Sequence, residues 1–335
     1  MKRILYLATG GTIASAPSAE GYAPALEAQQ LIDGIPELDH ICDIHTKSIM
    51  SKDSSNMQPE DWIILAESIY SDLDNYDGIV ITHGTDTMAF TASALTFMLQ
   101  NISKPVVLTG SRIPFGEQNS DAIKNIIDSF VTACEDMRGV YIVFDGKIIK
   151  GCRASKLRSK ENNIFESVNY PYLGVIENQQ VRYLNKPNPI KDKPFPLLLP
   201  NLDPRIYVLK LFPGLDLKVM DSITELNIKA VIIESFGLGG VPFEGKSLLS
   251  SLGRLLEKGI FVVITTQCKF DGVDLTVYEV GQKTQKMGVI SSHDMTFEAV
   301  VTKLMWALGQ SEAPDDVNRI MSTNYADEVT FKDHF

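Results

Sequence analysis

The stretch Tyr6-Leu-Ala-Thr-Gly-Gly-Thr-Ile-Ala-Ser15 decides how the first part of the chain folds. It begins within an apolar run, residues 4–8, that is typical of a buried strand. The glycine pair that follows allows a sharp turn and a close approach of the backbone to a ligand. Thr12 comes where the strand ends, at the edge where open α/β sheets bind ligands. Its hydroxyl is a candidate nucleophile, although a threonine in a glycine turn can also simply cap local backbone.

A second apolar strand, Gly78-Ile-Val-Ile-Thr82, ends in a similar way, in His83-Gly84-Thr85-Asp86-Thr87. Because the carboxyl ends of parallel strands meet at one edge of a sheet, we expect Thr12, Thr85 and Asp86 to face one cleft. Backbone N–H groups at the start of the next helix can stabilise negative charge, including a developing oxyanion. Helix capping also favours threonine and aspartate here, but it does not explain the preceding glycine.

A hydroxyl nucleophile needs a base to activate it, and no histidine is paired with Thr12 by pattern. A lysine beside Asp86 can accept or relay protons when burial and neighbours tune its charge. Lys156 follows a predicted hairpin strand, but spacing alone does not separate it from Lys150 or Lys160. The residues by themselves therefore leave the choice of lysine open.

Strand and helix patterns alternate along the N-terminal part, which predicts an α/β fold with a mainly parallel, helix-covered sheet. The polar and small residues at 15–24 predict a mobile loop able to close over a site. Asp145-Gly146 predicts a hairpin turn. The predicted strands are 4–8, 41–50, 78–82, 106–109, 140–144 and 147–150, and the predicted helices are 26–33, 59–73, 91–100 and 120–136.

The composition changes at 185–196, where four of twelve residues are proline. This run predicts a linker at 185–205 between an N-terminal catalytic domain, 1–184, and a smaller C-terminal α/β domain, 206–335. The alternation resumes beyond it, with predicted strands at 206–212, 230–234 and 261–265 and predicted helices at 217–226, 246–258, 295–308 and 315–322.

Composition narrows the classes of function. The chain has 335 residues, and 31 basic against 42 acidic residues give a net charge of −11, which disfavours binding to nucleic acid or to an anionic membrane. The sequence contains no run of 18 apolar residues, so we expect no membrane-spanning helix. The N-terminus lacks the features of a signal peptide, and a cytoplasmic location is therefore expected. The four cysteines and five histidines show no metal-ligand spacing. We therefore expect no metal and no disulfide framework, and predict buried free thiols.

Two stretches, Leu7–Ala14 and Gly78–Met88, resemble the two signature sequences of the bacterial-type L-asparaginases, and the resemblance extends along essentially the whole chain. Gly21-Tyr22-Ala23-Pro24, Asp53–Met57 and Thr109-Gly110-Ser111 resemble the cytoplasmic, type I branch. The resemblance implies hydrolysis of L-asparagine to L-aspartate and ammonia through a β-aspartyl ester on a threonine. It also implies a homotetramer built from intimate dimers, with no cofactor.

The resemblance implies catalytic roles for five residues. Thr12 corresponds to the nucleophile of the family, and Tyr22 to a lid tyrosine that closes on it. Thr85, Asp86 and Lys156 correspond to the second catalytic group of the family.

The resemblance also implies a substrate-binding set, formed by Ser54, Ser55, Thr85 and Asp86. Ser54 and Ser55 correspond to the positions that hold the substrate's α-carboxylate and α-amine, and Asp86 also binds the α-amine. This set suits a small zwitterion, which needs a carboxylate for its amine and hydroxyl or N–H donors for its carboxylate.

Some type I relatives bind asparagine at a second, regulatory site near the positions of Ser155, Glu234 and Cys268. Where that site uses an arginine, this chain has Glu234, and a carboxylate would repel the carboxylate of the ligand. We therefore expect this form of regulation to be absent or altered.

Three other functions are consistent with parts of the pattern. A glutaminase-asparaginase of broader specificity is one, since an extra methylene changes binding in a pocket by only ~1–3 kcal/mol. An asparaginase-like amidotransferase subunit, which acts on an amide linked to tRNA, is the second. Such a subunit would be expected to carry an additional domain and a basic face. A non-catalytic amino-acid-binding or Rossmann-type module is the third, but Gly10-Gly11 lacks the Gly-x-Gly-x-x-Gly spacing of dinucleotide-binding sites.

Overall fold

The computed structural model describes residues 1–18, 21–24, 26–185, 195–245 and 247–330, with the backbone alone described at 16–18 and 21–24. The chain divides into two compact units, Met1–Pro200 and Asn201–Phe335. Each unit has its own parallel sheet and its own apolar core. This confirms the predicted α/β class with a larger N-terminal and a smaller C-terminal part.

The N-terminal unit is built on an eight-stranded sheet with the strand order β13-β12-β9-β8-β7-β5-β1-β4. Five of these strands, from β8 to β4 in that order, are parallel, and β9, β12 and β13 extend the sheet antiparallel. The elements are β1 Arg3–Gly10, β2 Ser15–Ser18, β3 Gly21–Pro24, α1 Ala28–Asp33, β4 Asp43–Lys52, α2 Pro59–Asp72, β5 Gly78–Thr82, α3 Met88–Met98, β6 Leu99–Gln100, β7 Pro105–Thr109, α4 Ala122–Ala133, β8 Gly139–Phe144, β9 Lys147–Lys150, β10 Ala154–Lys156, β11 Phe165–Ser167, β12 Gly174–Glu177, β13 Gln180–Tyr183 and β14 Leu197–Leu198.

The central strands are apolar because helices cover both faces of the sheet. Every residue of β5 and of β7 is buried, as expected for strands inside a parallel sheet. Tyr6, Val80 and Val107 belong to one core together with Phe130 of α4, and α3 also packs against β7 and β8. The packing of α3 and α4 on the sheet therefore holds the ends of the central strands in place.

Two local predictions for this unit are wrong. The predicted helix 91–100 begins earlier, at Met88, because Thr87 takes the N-cap position, and its predicted last two residues form β6, which pairs with β14. The predicted loop at 15–24 contains an antiparallel ladder between β2 and β3. A two-stranded ribbon has only edge strands, where proline is tolerated, so polar and proline-containing sequence does not preclude it. The mobility of this segment stays a prediction.

The C-terminal unit is a four-stranded parallel sheet with the order β15-β16-β17-β18. Its elements are β15 Ile206–Lys210, α5 Val219–Thr224, β16 Ala230–Ser235, α6 Leu249–Glu257, β17 Phe261–Thr266, α7 Glu279–Lys286, β18 Ile290–Ser291, α8 Phe297–Gln310 and α9 Pro314–Ser322. The sequence did not predict α7, which is rich in polar residues, or the two-residue strand β18.

The division between the units follows Pro200. Before it, β14 pairs with β6 of the N-terminal unit. The domain boundaries predicted from the sequence, at 1–184, 185–205 and 206–335, stay a prediction, and residues 186–194 of the predicted linker lie outside the described residues.

The four cysteines are all free thiols. Cys42 and Cys152 are buried, as predicted, but Cys134 is half-buried and Cys268 is exposed, so the prediction of buried thiols is wrong for those two. Cys134 caps the C-terminal end of α4, and Cys268 lies in the loop after β17. Residues at the ends of elements and in loops are more exposed than those in the core. None of the helices in the described part of the chain is long and apolar enough to cross a lipid bilayer.

A buried ion pair between Lys303 and Glu328 ties α8 to the segment after α9, with both side chains fully buried and 2.7 Å between Nζ and Oε1. We expect Lys303→Met to lower the free energy of unfolding by about 3–5 kcal/mol, because it leaves a carboxylate buried without its cation. Urea unfolding of the full chain measures this.

The exposed pair Lys283–Glu279 is a matched control, since it has the same N···O distance of 2.7 Å. Lys283→Met should leave the unfolding midpoint unchanged, because exposed ion pairs contribute little. Equal midpoints for the Lys303 and Lys283 variants would contradict the prediction.

Candidate active site

The carboxyl ends of β4, β1 and β5 lie side by side at one edge of the N-terminal sheet. The three strands are parallel, and the register pairs Gly10 with Lys52 and Ala8 with Thr82. The chain segments that leave these strands begin at the same edge, as the sequence predicted.

Glycines bring these segments into contact. Gly11 has a φ of 83°, and a Cβ placed on it would lie 2.4 Å from the backbone nitrogen of Gly84. A Cβ on Gly84 would lie 2.6 Å from the Oγ of Ser54. Only glycine fits at both positions, so the segment carrying Thr85 directly contacts the Gly11 backbone before Thr12 and the side chain of Ser54.

Thr12 begins a short 3-10 helix, Thr12–Ala14, and is half-buried. The side-chain hydrogen bond that closes this turn comes from Ser15, whose hydroxyl donates to the Gly11 carbonyl at 3.0 Å. Local capping is thus carried out by a neighbour of Thr12, which favours the interpretation of Thr12 as a reactive hydroxyl.

Lys156 contacts both members of the Thr-Asp pair. Its Nζ donates to Thr85 Oγ1 at 2.9 Å and to Asp86 Oδ1 at 2.5 Å. The Lys156 side chain is 18% exposed and the Asp86 side chain 65% exposed, so one end of the cluster is shielded and the other faces solvent. Lys156 ends β10, which pairs with β11.

The other two candidate lysines have different neighbours. Lys150 Nζ lies 5.1 Å from the centroid of the Tyr170 ring, and the backbone carbonyl of Lys160 accepts a hydrogen bond from Arg112. The structure thus brings Lys156 to the Thr-Asp pair, a choice that spacing had left open.

Ser54 and Ser55 lie in the short 3-10 helix Ser54–Asn56, after β4. Ser54 is buried, and its Oγ accepts a hydrogen bond from the backbone N–H of Asp86 at 3.2 Å. Ser55 is exposed, and its hydroxyl donates to Asp53 Oδ1 at 2.6 Å. Hydrogen bonds from the Ser55 hydroxyl and backbone N–H lower the pKa of Asp53 below its usual range. Both serines therefore lie in ordered positions beside the Thr85-Asp86 turn.

Tyr22 lies in β3, where its backbone is paired with Pro17. Its side chain falls outside the described part of the structure, so its proposed role as a lid over Thr12 stays a prediction.

His83, directly before Gly84, is a buried polar residue to which the sequence assigned no role. Its Nδ1 bonds the Gly84 carbonyl at 2.7 Å, and its Nε2 bonds Thr91 Oγ1 at 2.9 Å. Burial lowers the pKa of His83 to about 4, so the imidazole is neutral at pH 7. The sequence signal that could have identified His83 is its position between a buried apolar strand and a glycine. A polar side chain buried there is expected to be hydrogen-bonded.

Within the described ranges, no group of three or more His, Cys, Asp or Glu side chains is placed to hold a metal ion. The side chains of Thr12, Ser54, Thr85, Asp86 and Lys156 at the sheet edge supply hydroxyls, a carboxylate and an amine. These groups suit nucleophilic and acid–base chemistry on a small zwitterionic ligand.

Two family models match most of the chain. The model "Asparaginase, N-terminal" matches residues 3–189, and "Glutaminase/Asparaginase C-terminal domain" matches 205–321. An L-asparaginase from Thermococcus kodakarensis is 42% identical over 330 residues, which cover 98% of this chain and 99% of that protein. A glutamyl-tRNA(Gln) amidotransferase chain from Pyrococcus abyssi is 32% identical over 341 residues, which cover 98% of this chain and 77% of that one.

Solved structures give the same comparison. The thermostable L-asparaginase from Thermococcus kodakarensis matches with a TM-score of 0.91 and 41% identity, covering 98% of this chain and 100% of that one. A probable cytoplasmic L-asparaginase from Campylobacter jejuni matches with a TM-score of 0.82 and 28% identity, covering 96% of this chain and 99% of that one. The likeness therefore spans both units.

Proposed function

The chain belongs to the asparaginase family, and we propose that it is an amidohydrolase that converts L-asparagine and water to L-aspartate and ammonia. The observation that carries the proposal is the contact of Lys156 with Thr85 and Asp86 at the sheet edge where Thr12 begins its turn. A nucleophilic hydroxyl near a hydrogen-bonded amine and carboxylate is suited to amide hydrolysis through a covalent intermediate.

Thr12 is the nucleophile in this proposal. Its Oγ1 attacks the side-chain amide carbon of asparagine and gives up its proton, which ends on the amide nitrogen. The tetrahedral oxyanion then collapses as the C–N bond breaks, so that ammonia leaves and a β-aspartyl ester stays on Thr12. Water then attacks the ester, and aspartate leaves as the threonine hydroxyl is restored. Backbone N–H groups at the start of α3, beside Thr85, are suited to stabilise the oxyanion.

Lys156 and Thr85 form the second catalytic group of the proposal. Because Lys156 donates to Thr85 Oγ1, the proton of the Thr85 hydroxyl is not used in that bond and can be donated onward. The pair can thus move a proton to the leaving amine or from the attacking water, and Asp86 holds Lys156 in place.

The α-groups of asparagine match the polar atoms that surround Thr85. Asp86 accepts from Lys156 through Oδ1, which leaves carboxylate capacity for the substrate ammonium. Ser54 accepts from the Asp86 N–H, so its own hydroxyl proton can be donated to the substrate carboxylate. Ser55 donates to Asp53 and can still accept a hydrogen bond from the ammonium.

The test of this function is ammonia release from L-asparagine and from L-glutamine over a wide concentration range. We expect turnover of asparagine to exceed that of glutamine. Comparable kcat/KM for both amides would instead assign the broader glutaminase-asparaginase activity, since a single methylene gives only about 10- to 200-fold discrimination.

An amidotransferase subunit is the second candidate, because the glutamyl-tRNA(Gln) amidotransferase chain from Pyrococcus abyssi is 32% identical along 98% of this chain. This chain covers 77% of that relative, and its net charge of −11 disfavours tRNA binding. No ammonia release from either free amino acid by folded protein, with release only when a tRNA-linked amide acceptor is added, would favour this candidate.

Regulation by a second asparagine site is proposed to be absent or altered. Glu234 is the penultimate residue of β16, and its carboxylate lies 3.8 Å from Lys210 Nζ. A carboxylate there would repel the carboxylate of a second asparagine. We expect a hyperbolic dependence of rate on asparagine concentration. A sigmoidal curve that becomes hyperbolic in Ser155→Ala or Cys268→Ala would contradict this.

We further propose a cytoplasmic homotetramer built from intimate dimers. The name of the Campylobacter jejuni relative, a probable cytoplasmic L-asparaginase, supports the location, and the family resemblance supports the assembly. Cell fractionation tests the location, and light scattering tests the assembly by its expected mass of four chains.

A further inference from the structure

Three hydrogen bonds form a buried chain that ends on the peptide group before Thr85. Trp62 Nε1 donates to Thr91 Oγ1 at 3.0 Å, Thr91 Oγ1 bonds His83 Nε2 at 2.9 Å, and His83 Nδ1 bonds the Gly84 carbonyl at 2.7 Å. The three side chains are at most 6% exposed. The chain crosses from α2 through α3 to the end of β5.

The chemistry of the groups fixes the direction of all three bonds. A carbonyl oxygen only accepts, so the proton of the neutral His83 ring is on Nδ1 and Nε2 is an acceptor. Thr91 must then donate its single hydroxyl proton to Nε2 and accept from the indole N–H, which only donates. Thr91 and His83 each have a partner on both sides, and Trp62 ends the chain as a donor. With a neutral imidazole, no other assignment of the protons satisfies all three bonds.

Because the peptide is trans and planar, its C=O and N–H point in opposite directions. The His83 bond holds the Gly84 carbonyl toward the buried ring, so the Thr85 N–H points the other way. We propose that Trp62, Thr91 and His83 are positioning residues that fix the Gly84–Thr85 peptide, and through it Thr85 and Lys156. The inference deepens the proposed asparagine hydrolysis and rests on it.

The close packing around Gly84 means that a change in the hydrogen bond from His83 Nδ1 to the Gly84 carbonyl would affect neighbouring segments. Gly84 contacts Gly11 on one side and Ser54 on the other, closely enough that a Cβ fits in neither contact. The backbone of His83 is held as well, since its N–H donates to Thr109 O at 2.8 Å. A tilt of the peptide would therefore displace Thr85 relative to Thr12, and errors of about 1 Å in an active site can cost about 100-fold in rate.

Thr91→Val tests the proposal, because it keeps the shape of the side chain and removes only the hydroxyl. We expect kcat for asparagine to fall about 10- to 100-fold with KM changed much less, since the defect lies in alignment for reaction. Thr91→Ser, which restores a hydroxyl, should recover most of the kcat.

Thr96→Val is the matched control on the same helix. Its hydroxyl is also buried but donates to its own helix, at the Ala92 carbonyl, at 2.7 Å. We expect an unchanged kcat. The change in unfolding midpoint should be smaller than in Thr91→Val, which leaves the Trp62 N–H and His83 Nε2 without a partner. If Thr96→Val lowers kcat as much as Thr91→Val, the effect is one of general helix stability and the proposal is overturned.

Trp62→Phe keeps the test decisive if Thr91→Val fails to fold. It removes the most distant donor and leaves the Thr91–His83 bond, so kcat should fall less than in Thr91→Val, by about 3- to 10-fold, again with little change in KM. Wild-type kcat in folded Thr91→Val overturns the positioning role, and so does wild-type kcat in folded Trp62→Phe if Thr91→Val does not fold. An inactive wild type would overturn the proposed function itself, which is a different outcome.

Discussion

Thr12→Ala is expected to lower kcat for asparagine by about 10⁴- to 10⁶-fold, the loss seen when a covalent nucleophile is removed. The missing oxygen is the atom that forms the ester, and no other group of the turn replaces it, because the Ser15 hydroxyl is bonded to the Gly11 carbonyl. Ammonia release under saturating asparagine measures the effect. Folding should change little, since Thr12 is only half-buried and begins a short 3-10 helix.

Thr12→Ser is the matched control, because it keeps a hydroxyl at the same position. Its turnover should lie well above that of the alanine variant, and mass spectrometry of acid-quenched samples should find an aspartyl ester on residue 12 in wild type. A kcat of Thr12→Ala within about 10-fold of the wild-type kcat would exclude Thr12 as the nucleophile. Loss of a general acid–base group alone costs more than that, and loss of the nucleophile should cost at least as much.

The edge of the sheet was predictable from sequence because it depends on short-range signals. Apolar runs at 4–8 and 78–82 predicted β1 and β5, and the glycines after them marked the ends of both strands. Parallel pairing then places both ends at one edge without any further information. The prediction that Thr12 and Thr85 lie near each other follows from these two facts, and the structure brings Gly11 and Gly84, the residues before them, into contact.

The partner of Thr85 was harder to predict, because it depends on contacts between residues far apart in sequence. Lys156 is separated from Asp86 by 70 residues, and it lies on β10, a three-residue strand with no pattern of its own. Family resemblance indicated the lysine that contacts Thr85 and Asp86, whereas spacing left three candidates. The chain from Trp62 to His83 was missed for the same reason, since its bonds join α2, α3 and β5.

Lys156→Met is expected to lower kcat for asparagine by about 10²- to 10⁴-fold, the contribution typical of a positioned acid–base group. Methionine keeps the unbranched chain up to the ε position and removes the amine that donates to Thr85 Oγ1 and Asp86 Oδ1. KM should change less than kcat, because the Asp86 carboxylate remains and can still bind the substrate ammonium. A pre-steady-state assay would show which of the two steps, ester formation or ester hydrolysis, has slowed.

Stability does not account for such a loss, because the Asp86 side chain is 65% exposed and water can solvate it once Lys156 is gone. Lys124→Met is the matched control, since Lys124 makes an equally short ion pair, 2.5 Å from Nζ to Asp128 Oδ2, on α4. Lys124→Met should retain wild-type kcat. If both lysine variants lose activity to the same degree, or if Lys156→Met retains it, proton transfer must pass through another group, and the contact of Lys156 with Thr85 is then only structural.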